Sequence, residues 1–277
     1  MICFNGEIIN SKEFSLNHNN RYLLYGDGFF ETIKYIPNKI LFWEEHYFRI
    51  MGSLCMLRFN IPDYFNESYF IKNINKTILS NKLEKSPVRI KILFYRESKG
   101  LYRPKENKLS FLISCEPLNI IDYSLNKKGL SVDIFNDYKL GLNSLNNLKT
   151  SNRIVNVLSS FYNDDKNIDD CLFINEKNNI VESSSGNIFI LLNNYLITPP
   201  LESGCINGVM RKFLINNSKK FNLKIKEENI SSSDLFNAEE IFFTNVISCV
   251  NWVKNFRKKE YNNSYSIKII NQINEII

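Results

Sequence analysis

The order of hydrophobic and polar positions in the first part of the chain indicates strands mixed with helices. Apolar runs rich in β-branched and aromatic side chains predict strands, and Pro37 and Asn38 favour a turn between the first two runs. Apolar residues spaced by three and four predict a helix that begins at Trp43 and a second helix after it. The predicted strands cover 29–35, 40–42, 88–95 and 109–115, and the second helix covers 67–82.

A polar, turn-prone segment without a hydrophobic period follows Pro117. We interpret residues 118–128 as an interdomain loop between a small N-terminal domain, 1–117, and a larger C-terminal domain, 129–277. The same composition would also suit a plain surface loop within one domain.

The second part of the chain is richer in predicted strands. These strands cover 130–135, 171–175, 180–181, 188–192, 195–197, 241–244 and 249–253, and the predicted helices cover 151–163, 208–221 and a closing segment that starts near Ser266. Strands and helices do not alternate strictly, and no internal repeat is present. The pattern predicts an α+β fold class, with a small N-terminal α/β domain and a larger C-terminal β-barrel-like domain with flanking helices.

Composition and charge narrow the possible partners. The 277 residues are 44% hydrophobic and 23% charged, which is typical of a globular protein with a sizeable core. The net charge is +6, but 35 basic and 29 acidic residues are interleaved, and the densest basic run, 257–259 (RKK), is followed at once by Glu260. Because a nucleic-acid site needs basic residues clustered on one face, no nucleic-acid partner is expected. The mildly basic balance suits anionic substrates.

Cysteine usage and the N-terminus indicate a cytoplasmic protein. Six cysteines are widely separated without a C-x-x-C pair, and with only two histidines no zinc site can be built, so we expect no metal. Scattered cysteines in apolar segments are typical of reduced core thiols. The N-terminus lacks the features of a signal peptide, and no run reaches the roughly 18 apolar residues of a membrane span, so no membrane association is expected.

Three short segments together indicate one kind of chemistry. Lys149 lies in 148–153 (LKTSNR), Glu182 precedes 183–187 (SSSGN), and 207–211 (NGVMR) is a glycine turn that opens a predicted helix. A lysine condenses with an aldehyde, a carboxylate holds a protonated ring nitrogen, and the bare amides of a helix start bind a phosphate. Those are the needs of pyridoxal 5'-phosphate. Taken singly, the segments have ordinary explanations as a surface lysine, a solvent-facing strand residue and a turn.

Together with 25–32 (YGDGFFET), these segments resemble, in order and spacing, the class IV aminotransferase-like enzymes, the fold type IV group of pyridoxal-phosphate proteins. That group includes branched-chain aminotransferases, D-amino-acid aminotransferases and 4-amino-4-deoxychorismate lyases. The resemblance runs from Tyr25 to about Val253. It implies a two-domain fold type IV enzyme that acts on a small amino substrate with a carboxylate and forms a homodimer.

The resemblance implies a role for each matched residue. Lys149 would form the Schiff base, and its amine works well as a base only if its pKa is lowered toward about 7–8. Glu182 would keep the ring nitrogen protonated, so that the ring accepts electrons. Arg49, which taken alone would be a surface salt-bridge residue, would reach the phosphate. The expected cofactor-binding residues are Arg49, Lys149, Glu182, Asn187, Gly208, Val209, Met210, Thr244 and Asn245.

Thr32 favours one reaction within this group. The lyases resemble this chain in carrying a threonine there, which assists proton transfer during pyruvate loss, although strand propensity alone would also explain a threonine. Asn152 and Arg153 are similar to the lyases, and Ile154 stands where branched-chain transaminases carry a tyrosine. Lys149 and Thr32 are therefore the expected catalytic residues. The expected substrate-binding residues are Tyr25, Arg96 and Arg103.

The preferred function is that of an aminodeoxychorismate lyase-like enzyme of folate biosynthesis, which releases pyruvate and 4-aminobenzoate through a Schiff base on Lys149. The alternative is a transaminase for branched-chain or D-amino acids, with 2-oxoglutarate or pyruvate as acceptor. The segment 97–102 (ESKGLY) departs from the glycine-richer lyase loop and keeps that alternative open. A third hypothesis is a non-catalytic protein with the same fold, but a binding module would need neither Lys149 nor Glu182.

Overall fold

The structure is a computed structural model that describes residues 1–277, and the chain forms two compact units. The first unit comprises 1–121 and 149–152, and the second comprises 122–148 and 153–277. The short segment 149–152 therefore belongs to the first unit, although its neighbours in sequence belong to the second. The domain limits expected from the sequence stay a prediction.

The first unit contains a six-stranded antiparallel sheet. Its strands are β1 (Ile2–Phe4), β2 (Glu7–Ile9), β3 (Gly28–Ile36), β4 (Lys39–Ile40), β5 (Val88–Arg96) and β6 (Leu109–Pro117), and its helices are α1 (Arg21–Tyr25), α2 (Trp43–Met56) and α3 (Glu67–Ser80). In space the strands follow the order β2-β1-β6-β5-β3-β4. The order places β3 beside β5, with which it pairs along its full length from Gly28 to Tyr35.

The core of this unit lies between one face of the sheet and helices α2 and α3. Alternate residues of β3 face that core, and Phe29 and Ile33 are completely buried there. Glu31 lies between them on the same face, because side chains two apart in a strand share a face. Phe30 and Thr32 consequently lie on the opposite face of the sheet.

Helix α2 begins at Trp43, the residue that the hydrophobic pattern indicates. The three long strands and the helices expected in this part of the chain are confirmed, but the expected strand at 40–42 is wrong beyond Ile40. Phe42 has a left-handed φ of 53° and is the N-cap of α2, so the extended backbone cannot continue through it.

The second unit contains a nine-stranded mixed sheet. Its strands are β7 (Leu130–Leu140), β8 (Asp170–Asn175), β9 (Ile180–Ser183), β10 (Asn187–Leu192), β11 (Tyr195–Thr198), β12 (Ile225–Glu227), β13 (Glu240–Asn245), β14 (Cys249–Phe256) and β15 (Lys259–Glu260), and its helices are α4 (Ile154–Lys166), α5 (Val209–Asn216), α6 (Ser232–Asn237) and α7 (Ser264–Asn274). Eight strands follow the order β12-β11-β10-β13-β14-β7-β8-β9, and β15 pairs with β14. The α+β fold class expected from the sequence is confirmed.

Two expected helices have different limits in the structure. The helix expected at 151–163 begins at Ile154, because the Ser151 N–H donates to the Gly28 carbonyl oxygen over 2.9 Å and so belongs to an extended segment. The helix expected at 208–221 ends at Asn216. Across the whole chain, no helix is both long enough and apolar enough to cross a membrane.

Candidate functional site

Lys149 is attached to β3 through its main chain. Phe29 and Thr150 are antiparallel bridge partners, and the Phe30 N–H donates to the Lys149 carbonyl oxygen over 3.0 Å. The bridge lies near the start of β3, whereas β4 pairs with the last two residues of β3. The position of the Lys149 backbone is therefore fixed by hydrogen bonds that do not involve its amine.

The side chains of Lys149, Phe30 and Thr32 lie on one face of β3. Lys149 Nζ is 4.5 Å from the centroid of the Phe30 ring, a cation–π distance. Thr32 follows Phe30 by two residues and is half-buried. Lys91, the cross-strand partner of Thr32, brings its own Nζ to 5.1 Å from the same ring. This face therefore brings both expected catalytic residues together with a second cation, Lys91. No sequence pattern indicated Phe30 or Lys91 as their neighbours.

Glu31, on the other face of β3, forms a buried ion pair with Arg49 of α2. Arg49 Nε donates to Glu31 Oε1 over 2.6 Å, and Arg49 Nη2 donates to Glu31 Oε2 over 2.7 Å. His46 Nδ1 lies 2.8 Å from Glu31 Oε2. Burial alone would raise the pKa of Glu31, but the Arg49 charge and the hydrogen bonds from His46 and Arg49 outweigh it and lower the pKa to about 2. Arg49 was expected to reach a phosphate, and that role stays a prediction.

Arg96, expected to bind a substrate carboxylate, is held by the protein itself. Its Nε donates to Asp27 Oδ2 over 3.1 Å, and its Nη2 donates to the Leu57 carbonyl oxygen over 2.7 Å. Asp27 also accepts from Arg21 Nε over 2.7 Å, so one carboxylate binds two guanidinium groups. Arg21 donates in addition to the carbonyl oxygen of Tyr102, which ties the β5–β6 loop to α1. A substrate role for Arg96 stays a prediction.

All three expected substrate-binding residues line one open cavity in the first unit. The cavity has a volume of about 810 Å³. Two carboxylates, Asp27 and Glu106, line it, and so do five cationic side chains, which leave the lining with a net positive charge: Arg21, Arg58, Arg96, Arg103 and Lys105. Tyr25 and Tyr102 add aromatic surface, and their ring centroids are 5.6 Å apart. The charge of this lining suits a carboxylate.

Glu182, in β9 of the second unit, is almost fully buried with 4% exposure. Its Oε2 accepts from the Ile206 N–H over 2.9 Å and from Asn187 Nδ2 over 3.4 Å. Asn187 Nδ2 also donates to the Ile206 carbonyl oxygen over 2.9 Å, and Asn147 Nδ2 donates to the Cys205 carbonyl oxygen over 2.7 Å. The loop before α5 is thus bonded on both sides, and it fixes the orientation of the Glu182 carboxylate.

No side chain caps the start of helix α5. Gly208 is the N-cap, so the first N–H groups, at Val209 and Met210, have no partner within the helix. A Cβ on Gly208 would lie 1.8 Å from Asn187 Oδ1, which only glycine avoids. Such N–H groups at a helix start attract anions.

Thr244 and Asn245 end β13 beside β10. Thr244 Oγ1 lies 3.5 Å from the carbonyl oxygen of Asn187, its partner across the strands. Asn245 Oδ1 accepts from the N–H groups of Ile247 and Ser248 over 3.0 and 2.9 Å. The Asn245 side chain therefore holds the β13–β14 turn, and a phosphate contact from either residue stays a prediction.

Asp170 is a residue of this region that the sequence reasoning missed. Its two carboxylate oxygens accept from Ser184 Oγ over 2.5 Å and from Ser185 Oγ over 2.6 Å. Ser183 Oγ accepts from the Gly186 N–H over 3.0 Å. These bonds fix the serine-rich turn that follows Glu182. An acid at the start of a strand was the only indication in the sequence.

The residues present fit pyridoxal phosphate. A carboxylate of fixed orientation suits a protonated ring nitrogen, and the uncapped N–H groups at the start of α5 suit a phosphate. In the first unit, Lys149 supplies an amine with a hydroxyl on the same sheet face.

Comparison with known proteins identifies the family. Residues 28–256 match the profile of the family described as Amino-transferase class IV. A putative branched-chain-amino-acid aminotransferase from Methanocaldococcus jannaschii is 26% identical over 250 residues, which cover 88% of this chain and 83% of that protein. An aminodeoxychorismate lyase from Bacillus subtilis is 25% identical over 255 residues, which cover 89% of this chain and 83% of that protein.

A solved structure has the same fold. The branched-chain amino acid aminotransferase from Thermobaculum terrenum, in its PLP-form, aligns with a TM-score of 0.85 at 18% identity, covering 99% of this chain and 92% of that one. The expected family, enzyme class and cofactor are confirmed. This chain belongs to the class IV amino-transferase family and is a pyridoxal-phosphate-dependent aminotransferase or lyase.

Proposed function

We propose that this enzyme is an aminodeoxychorismate lyase-like enzyme that releases pyruvate and 4-aminobenzoate. The observation that carries the proposal is the position of Thr32 on the face of β3 where the Lys149 amine lies against Phe30. A hydroxyl on that face is suited to relay a proton to a leaving group, which a lyase needs and a transaminase does not.

When bound, pyridoxal phosphate supplies an aldehyde that captures an amine and a ring that accepts electrons. In our proposal Lys149 would hold the cofactor through Nζ, and the same amine would act as the base that takes the proton from the substrate carbon bearing the amino group. Thr32 Oγ1 delivers a proton to the departing three-carbon unit, which leaves as pyruvate. Glu182 keeps the ring nitrogen protonated.

The remaining expected residues act by binding in this proposal. The phosphate would be held by the N–H groups of Val209 and Met210 at the start of α5 that Gly208 opens, with Arg49, Thr244 and Asn245 as further ligands, while Asn187 holds the loop before α5 and Tyr25, Arg96 and Arg103 receive the substrate carboxylates. The cationic lining of the cavity in the first unit supports the last of these assignments.

Incubation of the holoenzyme with aminodeoxychorismate and no keto-acid acceptor tests the proposal. We expect pyruvate and 4-aminobenzoate in equal amounts, measured by a coupled lactate dehydrogenase assay and by fluorescence. Thr32→Ser should keep the release because it keeps the hydroxyl, whereas Thr32→Val should reduce it by about 10²-fold or more. Absence of pyruvate from wild-type enzyme would refute the lyase assignment.

A transaminase is the second candidate, and the 26% identity to a putative branched-chain-amino-acid aminotransferase favours it. A transaminase converts its bound cofactor to the amine form with an amino acid alone, which shifts the visible absorbance. A panel of L- and D-amino acids therefore separates the two candidates on one preparation. A spectral change with an amino acid, without pyruvate release from aminodeoxychorismate, would establish the second candidate.

We further propose that the enzyme is a homodimer, that it acts in the cytoplasm and that it belongs to folate biosynthesis. The twenty exposed large hydrophobic side chains are compatible with a subunit interface. Light scattering after gel filtration should give twice the chain mass of 32.6 kDa. A single-chain mass at micromolar concentration would exclude a stable dimer.

A further inference from the structure

The guanidinium of Arg49 is held at two positions by one carboxylate. Arg49 Nε and Nη2 donate to the two oxygens of Glu31 over 2.6 and 2.7 Å, a bidentate arrangement that fixes the plane of the guanidinium. Glu31 is 1% exposed, and the Arg49 side chain is 12% exposed. An arginine held in this way keeps one orientation, whereas an exposed arginine samples many.

His46 holds Glu31 in turn. Its ring is completely buried, and Nδ1 lies 2.8 Å from Glu31 Oε2. A carboxylate only accepts hydrogen bonds, so Nδ1 carries the proton and donates. Burial lowers the pKa of His46, so the ring is neutral near pH 7 and Nε2 is a bare acceptor. Nε2 is buried without a hydrogen-bond partner, so the ring serves this cluster through Nδ1 alone.

The cluster carries more polar chemistry than a core requires. Glu31 lies on the core-facing side of β3, between the completely buried Phe29 and Ile33. Apolar side chains of similar volume would pack there without desolvating a charge. His46 contacts Glu31, and Glu31 contacts Arg49, which is the most exposed of the three. This arrangement is suited to hold the arginine in place.

We infer that Glu31 and His46 are positioning residues that orient Arg49 toward the phosphate of the cofactor. The inference rests on the proposed role of Arg49 as a phosphate ligand. Arginine side chains have large rotamer freedom, and restricting that freedom before binding increases affinity for the group they meet. The two residues therefore act on the phosphate-dependent part of cofactor affinity.

Pyridoxal lacks the phosphate, so comparing its affinity with that of pyridoxal phosphate isolates the contribution of the phosphate to binding. The full-length chain is dialysed free of cofactor, and the dissociation constants of both aldehydes are measured by absorbance. Arg49→Gln should raise the dissociation constant of pyridoxal phosphate by about 10- to 100-fold, the value of one charge-assisted hydrogen bond, and leave that of pyridoxal nearly unchanged.

Variants of the positioning residues should show the same selectivity. Glu31→Asp keeps the charge but withdraws the carboxylate by one methylene, and we expect about a tenfold loss for pyridoxal phosphate only. His46→Asn places an amide N–H as many bonds from the main chain as Nδ1 and should bind both aldehydes like the wild type. His46→Gln is its matched control, because the amide lies one bond further out, and it should lose affinity for pyridoxal phosphate.

Each result decides a different point. If Arg49→Gln weakens the binding of both aldehydes equally, the role of Arg49 as a phosphate ligand in the proposed function is wrong. Arg49→Gln could instead weaken the binding of pyridoxal phosphate only, while Glu31→Asp and His46→Gln weaken the binding of both aldehydes equally. In that case Arg49 keeps its role and the positioning inference is overturned. Should Glu31→Asp fail to fold, the pair His46→Asn and His46→Gln still decides, and equal behaviour of that pair would overturn the inference.

Discussion

Glu31 in the first unit and Glu182 in the second are both almost fully buried, yet their partners differ. Glu31, 1% exposed, accepts from a guanidinium and an imidazole of α2. Glu182, 4% exposed, accepts from the main-chain N–H of Ile206 and the carboxamide of Asn187. The donors to Glu31 include a full positive charge, whereas the Ile206 N–H and the Asn187 carboxamide are neutral groups.

This difference shows what each carboxylate is suited for. A guanidinium neutralises Glu31, so this carboxylate serves to orient the arginine. The Ile206 N–H and the Asn187 carboxamide orient the Glu182 carboxylate, and a carboxylate of fixed orientation is suited to hold a protonated ring nitrogen. One buried glutamate thus acts on a neighbouring side chain, and the other is suited to act on a ligand.

The largest expected effect is on turnover, through Glu182. Glu182→Gln keeps an oxygen that accepts from the Ile206 N–H but loses the charge, so kcat should fall by at least about 10²-fold while the free energy of unfolding changes by less than about 1 kcal/mol. Steady-state kinetics and urea unfolding measure the two quantities. Glu176→Gln, an exposed change in the turn that follows β8, is the control. A kcat within threefold of wild type would contradict the role of Glu182.

Arg49 should affect stability more than catalytic variants do. Arg49→Leu leaves the Glu31 carboxylate buried without its cation, and breaking a buried ion pair in this way costs about 3–5 kcal/mol. Urea unfolding of the cofactor-free protein measures the loss. The control is Arg89→Leu, since the Arg89–Glu116 pair is exposed at 3.8 Å and should contribute less than about 1 kcal/mol. Equal losses for the two variants would contradict the comparison.

Acid should destabilise the fold through Glu31. Despite burial, the Arg49 charge and the hydrogen bonds from His46 and Arg49 lower the pKa of Glu31 from 4.5 to about 2. Because the folded pKa is the lower one, the stabilisation is complete above about pH 4.5 and is lost as the pH falls toward 2, about 3 kcal/mol in total. Unfolding free energies between pH 5 and 2.5 should show this slope in the wild type and a weaker one in Glu31→Gln.

Glu240 provides the opposite case. Burial raises the pKa of Glu240, although Ser266 and the Tyr265 N–H donate to it. Its folded pKa is above the unfolded value, so its contribution is fully present below the unfolded pKa and is lost as the pH rises. Glu240→Gln should therefore change the pH slope in the direction opposite to Glu31→Gln. The same direction for both variants would mean that the partners do not determine the slope.

The smallest expected effect concerns Gly208. A Cβ there would lie 1.8 Å from Asn187 Oδ1, so Gly208→Ala should displace Asn187 from Ile206 and reduce the unfolding free energy by about 1 kcal/mol. Asn187→Ala removes the obstructing atom. The double variant should therefore lose less than the sum of the two single variants. Simple additivity would show that the two residues do not share this space.

The sequence predicted most of the fold because its strands have regular apolar patterns. The prediction was wrong just after Lys149, where helical spacing suggested that a helix begins at residue 151, whereas α4 begins at Ile154. The structure instead shows Thr150 paired with Phe29, a partner more than a hundred residues away in sequence. No local pattern contains information on such a bridge, and only the folded sheet provides it.

The candidate site was predicted through resemblance, residue by residue, but not its interactions. Glu31 lies in the same motif as Thr32, yet its pairing with Arg49 depends on which face of β3 packs against α2. Asp170 was missed because its role depends on a turn formed by later serines. Side-chain partners of this kind are determined by sheet register and helix packing.

The central claim is that the Lys149 amine holds pyridoxal phosphate. Reduction of the holoenzyme with borohydride fixes the cofactor to the amine that carries it, and peptide mass spectrometry then locates that amine. We expect the label on Lys149 alone, and none in Lys149→Ala. A label on Lys91, whose ammonium lies 5.1 Å from the same Phe30 ring, or no label at all, would contradict the claim.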